Sequence, residues 1–226
     1  MPEPSLSWSL LRVLWLPLKW ILDRLRRRYR WLQPRLASPT RHRFFPPDLS
    51  IVVKLQMPRA TVKAILGEPS YELNDRWTYQ YMEACVQLVF RANGGSLETI
   101  IIGYTGNSLK DRVPIHWVGI PLGKLTLADA LEGEPRGLDD VEFQDNLRNP
   151  SLVVRSRLGP PGLWQYLSFG AVQPLYGPLA PAEFKWDRSE SRLVTKSSEV
   201  LINWVAISSS GYGNSWFDVS ATVSPN

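Results

Sequence analysis

"RWTYQYMEACVQLVFRANGGSLETIIIGYT" (residues 76–105) is the stretch that decides the fold. Apolar and polar residues alternate with period two over Arg76–Tyr81 and again over Cys85–Phe90, and that period predicts strands. In the second strand the alternation sets Cys85, Gln87 and Val89 on one face and Val86, Leu88 and Phe90 on the other. "ANGGS" supplies a turn, because Asn93-Gly94 accepts positive φ at low cost. Leu97–Tyr104 reads as a third strand, and Ile100, Ile101 and Ile102 in a row predict burial on both faces. Three strands joined by short turns predict an antiparallel meander.

On the N-terminal side of this stretch, Pro58 to Leu66 reads as a short helix with Val62, Ile65 and Leu66 on its apolar edge. Gly67 stops it and Pro69 forbids its continuation. Residues 34–47 form a Pro-rich linker, and Phe44 and Phe45 either pack on the body or extend an interfacial contact. Downstream, "TLADALEGEP" (126–135) echoes "TVKAILGEP" (61–69): both hold a Thr, a short helix, a Leu and Gly-Glu-Pro. "LWQYLSFGAV" (163–172) reads as a strand and places a second Trp-x-Tyr after Trp77-x-Tyr79. Arg192–Thr195, Val200–Ser208 and Trp216–Val223 also read as strands, with a Ser/Gly/Asn loop over 208–215. The expectation is an α+β fold: a basic amphipathic N-terminal helix, then short helices packed on antiparallel β-sheet. The divisions are 1–33 for that helix, 34–47 for the linker and 48–226 for the body, which splits near 118/119 if the echo is a repeat.

Thr61, Leu66, Gly67, Pro69, Trp77 and Tyr79 carry a resemblance. A threonine-led helix, Leu-Gly-x-Pro, Trp-x-Tyr and a meander resemble the SmpA/OmlA-type outer-membrane assembly lipoprotein module, over about residues 50–104. The resemblance implies a helix-plus-antiparallel-sheet unit. Those lipoproteins carry a signal sequence and a lipidated cysteine, neither of which is evident here, so the outer-membrane role does not carry over. The whole layout, with "PLGKLTLADAL" after the module, looks like a group of uncharacterised bacterial membrane-anchored proteins. That likeness implies a location and no activity.

Charge is unevenly placed. Residues 1–45 hold ten Lys/Arg against Glu3 and Asp23, and the remainder of the chain is about three charges negative. Within "WLPLKWILDRLRRRYRWL" (15–32), the Leu11, Trp15, Leu18, Leu22, Leu25, Tyr29, Leu32 spacing makes one stripe of a helix. Trp8, Trp15, Trp20 and Trp31 suit the headgroup boundary. Arg24, Arg26, Arg27, Arg28 and Arg30 follow the apolar half, an order opposite to that of a secretory signal. Trp8–Leu22 is short of the roughly 20 apolar residues of a span and contains Pro17. The segment therefore reads as a surface anchor on anionic lipid at the cytoplasmic side of a membrane. The rival reading docks the same helix on integral membrane protein subunits or on the chain's own body. Its dense Leu/Trp half disfavours a nucleic-acid arm.

No reaction is spelled out. Cys85 is the single cysteine, and its strand position predicts an inert buried thiol. His42 and His116 have no partner at metal-ligand spacing. "LDDVEFQDN" (138–146) lacks the glycine and spacing of a calcium loop, and "GYGNS" (211–215) lacks the lysine of a phosphate loop. The expectation is a non-enzymatic binding protein without cofactor, metal or catalytic residues.

Overall fold

The alternation in 76–104 builds the centre of an antiparallel sheet. The computed structural model describes residues 44–92, 95–106, 113–132, 141–145, 149–160, 163–175, 177–211 and 217–218. The chain divides into two units, 1–41 and 42–226. The helix expected over 1–33 lies outside the described residues, and every described element belongs to the second unit.

Among the described residues, the α-helices of this second unit are α1 (Leu49–Val52), α2 (Arg59–Leu66) and α3 (Leu127–Glu132). The strands are β1 (Tyr71–Leu73), β2 (Arg76–Gln80), β3 (Ala84–Phe90), β4 (Leu97–Tyr104), β5 (Glu142–Gln144), β6 (Ser151–Leu158), β7 (Gln165–Val172), β8 (Trp186–Asp187), β9 (Arg192–Leu193) and β10 (Trp204–Ser208). Among the described residues, eight strands form one sheet in the order β1-β2-β3-β4-β10-β7-β6-β5, and every pairing is antiparallel. Both edge strands are three residues long, which leaves little unpaired backbone for another chain to join.

Side-chain alternation sorts the sheet into two faces. Trp77, Val86, Leu88, Phe90, Ile100, Ile102, Val154, Leu167, Phe169, Val205 and Ile207 share the larger core with α1, α2, Val113–Leu127 and Phe184. Cys85, Val89, Ile101, Val153, Trp204 and Ala206 lie on the other face with Leu179 and Phe217. Ile100, Ile101 and Ile102 are all buried, as a strand covered on both faces requires. Each such side chain contributes roughly 1.5–3 kcal/mol on burial, so the centre of the sheet outweighs any single surface pair.

The two ends of the sheet are built alike. Leu97 N–H donates to the Met57 carbonyl (2.8 Å) and Arg59 N–H to Gly95 (3.0 Å). In the same way Ile202 N–H donates to Leu125 (2.9 Å) and Leu127 N–H to Val200 (2.8 Å). Isolated bridges join Pro58 to Ser96 and Thr126 to Leu201. Thr126 thus occupies the place of Pro58, three residues from the Thr61 match that the Gly-Glu-Pro echo suggests. Matching Leu97 with Ile202 sets Ile101 on Ala206, and these two are cross-strand partners at the middle of the β4–β10 ladder. A local two-fold axis through that pair carries Trp77 onto Val154, Val86 onto Leu167 and Leu88 onto Phe169.

Several expected elements differ in detail. Trp164 precedes β7, so its Trp-x-Tyr is one strand out of step with that of β2. The Val200–Ser208 strand begins only at Trp204, because Val200 and Ile202 bond to the segment that opens α3. Arg192–Thr195 shortens to β9, which pairs with β8 outside the large sheet. Phe217 and Asp218, the described part of Trp216–Val223, are not in a strand. Phe45 packs in the core and its N–H donates to Glu83 (2.9 Å), so the body takes in residues of the expected linker, while Phe44 is 71% exposed.

Candidate interaction surfaces

The motif residues converge on one corner. Gly67 closes α2 at φ +80, and its carbonyl accepts a hydrogen bond from the Tyr79 hydroxyl (3.1 Å). Burial pushes the Tyr79 phenol upward, with Tyr81, Glu68 and Glu72 adding to the shift. Leu66 and Trp77 are buried and Trp77 meets Phe90 edge-on (4.6 Å), whereas Thr61 is exposed on α2 and Pro69 half-buried. Arg59, which sequence reasoning passed over, ties the corner together. Its guanidinium lies over the Phe90 and Trp77 rings (5.0 and 5.8 Å) and its Nη2 donates to Asp75 (2.5 Å). These contacts hold α2 on the sheet, so the motif is a packing device.

Trp8, Leu11, Trp15, Leu18, Trp20, Leu22, Arg24, Arg26, Arg27, Arg28, Arg30 and Trp31 lie outside the described residues. Among the described residues no helix is long and apolar enough to cross a membrane.

The groups with catalytic potential are kept apart. Cys85 is fully buried, and burial pushes its thiol up to about 12. It sits on the face opposite the helices, whereas exposed His116 lies between Ile115 and Trp117, which pack on the helix-bearing face. In the acidic stretch, Glu142 pairs with Arg155 and Asp145 with Arg188 (2.8 Å). Among the described residues no group of three or more His, Cys, Asp or Glu is placed to hold a metal.

The face opposite the helices carries buried polar side chains across its central strands: Thr78, Gln87, Thr99, Ser168 and Ser208. The Thr99 hydroxyl donates to Ser208 Oγ (2.9 Å). Gln87 treats Asp218 as a strand would: its Nε2 donates to the Asp218 carbonyl (2.7 Å) and its Oε1 accepts the Asp218 N–H (2.9 Å). Arg76 Nη1 also donates to Gln87 Oε1 (2.7 Å). Burial lowers the Arg76 guanidinium from its usual value and the Asp218 charge opposes that. Nearby, the Asn203 amide bonds to Val172 N–H, Val172 C=O and Ala180 C=O (3.0, 2.7 and 2.7 Å). A lone Gln or Asn in a strand pattern carries no sequence signal for such a role.

Exposed large hydrophobics among the described residues are scattered, and two groups of them lie close together in sequence. Phe44, Ile51 and Val52 lie at the start of the body. Leu158, Leu163 and Trp164 lie at the end of the β6–β7 hairpin. No family model, curated protein or solved structure matches the chain.

Proposed function

We propose that this is a non-enzymatic, membrane-associated protein. Its basic amphipathic N-terminal segment rests on anionic lipid at the cytoplasmic face, and its α+β body binds a protein partner. One observation carries this reading: the Trp/Leu half of residues 8–22 runs straight into five arginines between Arg24 and Arg30, ahead of a body that is slightly acidic. Each arginine near an anionic leaflet contributes about 1 kcal/mol, so five contribute about 5 kcal/mol. That amounts to a several-thousand-fold enrichment at the surface before any apolar burial is counted. The exposed Phe44, Ile51 and Val52 supply apolar area for a partner. The likeness of the whole layout to uncharacterised bacterial membrane-anchored proteins fits this location and adds no activity.

Flotation of the purified full chain with liposomes tests the anchor. The chain is expected to float with anionic vesicles and to stay at the bottom with neutral ones. Replacing Arg24, Arg26, Arg27, Arg28 and Arg30 by Ala, or deleting residues 1–33, is expected to abolish flotation. A truncated chain that still floats overturns the reading. Failure of the full chain to float, together with co-purification in fixed stoichiometry with integral subunits, replaces lipid with a protein dock for the same helix.

A further inference from the structure

The β6–β7 hairpin ends in apolar side chains that are open to solvent. Leu163 is 75% exposed, Leu158 42% and Trp164 36%. The matching hairpin of the other half is short: β2 and β3 are joined by 81–83, whereas β6 and β7 are joined by 159–164. The described residues of the longer connection are tied to one another. Leu163 N–H donates to the Pro160 carbonyl (3.0 Å), and Gly159 adopts φ +105 with the Leu163 carbonyl 3.0 Å from where a Cβ would stand. Leu163 and Trp164 are thereby presented outward beside Leu158.

Charge around this end is one-sided along the chain. Residues 158–182 contain no Asp, Glu, Lys or Arg. Immediately before them, Arg157 is exposed on β6 opposite Tyr166. Apolar side chains at an extremity with Trp beside them and a cation one residue back match the profile of an acyl-chain boundary. There Leu buries, the indole N–H stays with the headgroups and Arg reaches phosphate. The short matching turn instead carries Glu83, whose carboxylate accepts the Phe45 N–H within the body.

We infer that Leu158, Leu163 and Trp164 form a second lipid-contacting element, which dips into the interfacial layer of an anionic bilayer with Arg157 at the phosphates. The inference rests on the membrane reading proposed for residues 1–33. It commits to lipid rather than to a protein groove because the cation and the uncharged stretch suit a headgroup-to-acyl gradient.

The test uses the full chain with Leu163→Cys, labelled with an environment-sensitive nitrobenzoxadiazole. The native thiol stays unlabelled because Cys85 is buried. Met82→Cys, at the matching short turn, is the control position. On vesicles of phosphatidylcholine and phosphatidylglycerol, the label at 163 is expected to shift to the blue, brighten severalfold and be quenched by doxyl lipid, while the label at 82 does not change. Leu163→Ser with Trp164→Ser is expected to weaken vesicle partitioning roughly tenfold, with an unchanged melting temperature. If the chain floats but the label at 163 stays as aqueous as that at 82, the hairpin inference falls and the N-terminal anchor stands. If the full chain does not float at all, both fall together.

Discussion

Where the chain enters α2, Arg59 lies over Trp77 and Phe90 and clasps Asp75; at the matching place, the first residue of α3, stands Leu127, fully buried. The matched positions differ elsewhere in the same spirit. Pro58 opens α2 with no side-chain cap, whereas Thr126 and Asp129 cap α3 reciprocally: Asp129 Oδ2 accepts from Thr126 N–H and hydroxyl, and Asp129 N–H donates back. Val89 fills its space with a side chain, whereas its counterpart Gly170 leaves room that the Trp204 indole occupies. Glu98 is a half-buried acid near Arg91, whereas its counterpart Asn203 is a buried amide with three hydrogen bonds. The backbone frame is shared while the side chains that close it are exchanged one for another. Backbone pairing therefore sets the architecture, and the closing contacts are local solutions.

The most demanding test of this correspondence forces one solution onto the other half. Gly170→Val, which copies Val89, places side chain where the Trp204 ring already lies 2.0 Å from a Cβ. It is expected to lower the unfolding free energy by about 3 kcal/mol or more, because the indole has to leave its place. Val89→Ala, the milder change at the counterpart, is expected to cost about 1–2 kcal/mol. Urea melts that show equal losses would mean that the two positions are not counterparts.

Next in size is Asn203→Leu. It takes the amide away from the Val172 N–H and the Ala180 C=O, while the Val172 C=O keeps the Ala182 N–H (3.0 Å), and a loss of about 2–3 kcal/mol is expected. Glu98→Ala, at the matching place, is expected to cost about 1 kcal/mol or less, since its ion pair with Arg91 at 3.7 Å is partly solvated.

The smallest effect is a pH slope confined to the first half. The Cys85 thiol is raised above its usual value of 9.0 to about 12, so the folded state holds its proton while the unfolded chain releases it. The stability tied to Cys85 is full below pH 9 and declines as pH rises from 9 toward 12, by at most about 1.4 kcal/mol per pH unit. Cys85→Ala is expected to flatten urea midpoints between pH 9 and 10. A slope left unchanged there would assign it to other groups.

The centre of the sheet is legible in the sequence because period-two alternation and an Asn-Gly turn act locally. The pattern gives β4 its observed ends, β2 and β3 to within one residue at one end, and α2 from its Gly67 stop. β6 does not read as a strand, because Arg155 and Arg157 break its apolar pattern on the face opposite the helices. β5 hides in an acidic stretch that looks like a turn until Glu142 is seen opposite Val153 and ion-paired with Arg155. Gly-Glu-Pro hints at a match between the halves. The register that relates them lies instead in backbone hydrogen bonds such as Leu97 to Met57 and Ile202 to Leu125, between residues far apart in the chain. Of the candidate surfaces, the basic segment is read from sequence alone. The outward apolar hairpin end becomes visible only when exposure separates Leu163 from the leucines of the core.

The pairing of Ile101 with Ala206 also sets an order of events during synthesis. The ribosome finishes β4 about a hundred residues before it delivers β10. At 5–20 residues per second, the flank of β4 stands open on the nascent chain for roughly 5–20 s. For that interval a strand carrying three consecutive isoleucines presents an unpaired backbone edge, of the kind that recruits other strands. Its natural partner is the last of the described strands of the sheet to be made, so the hazard ends only when β10 arrives.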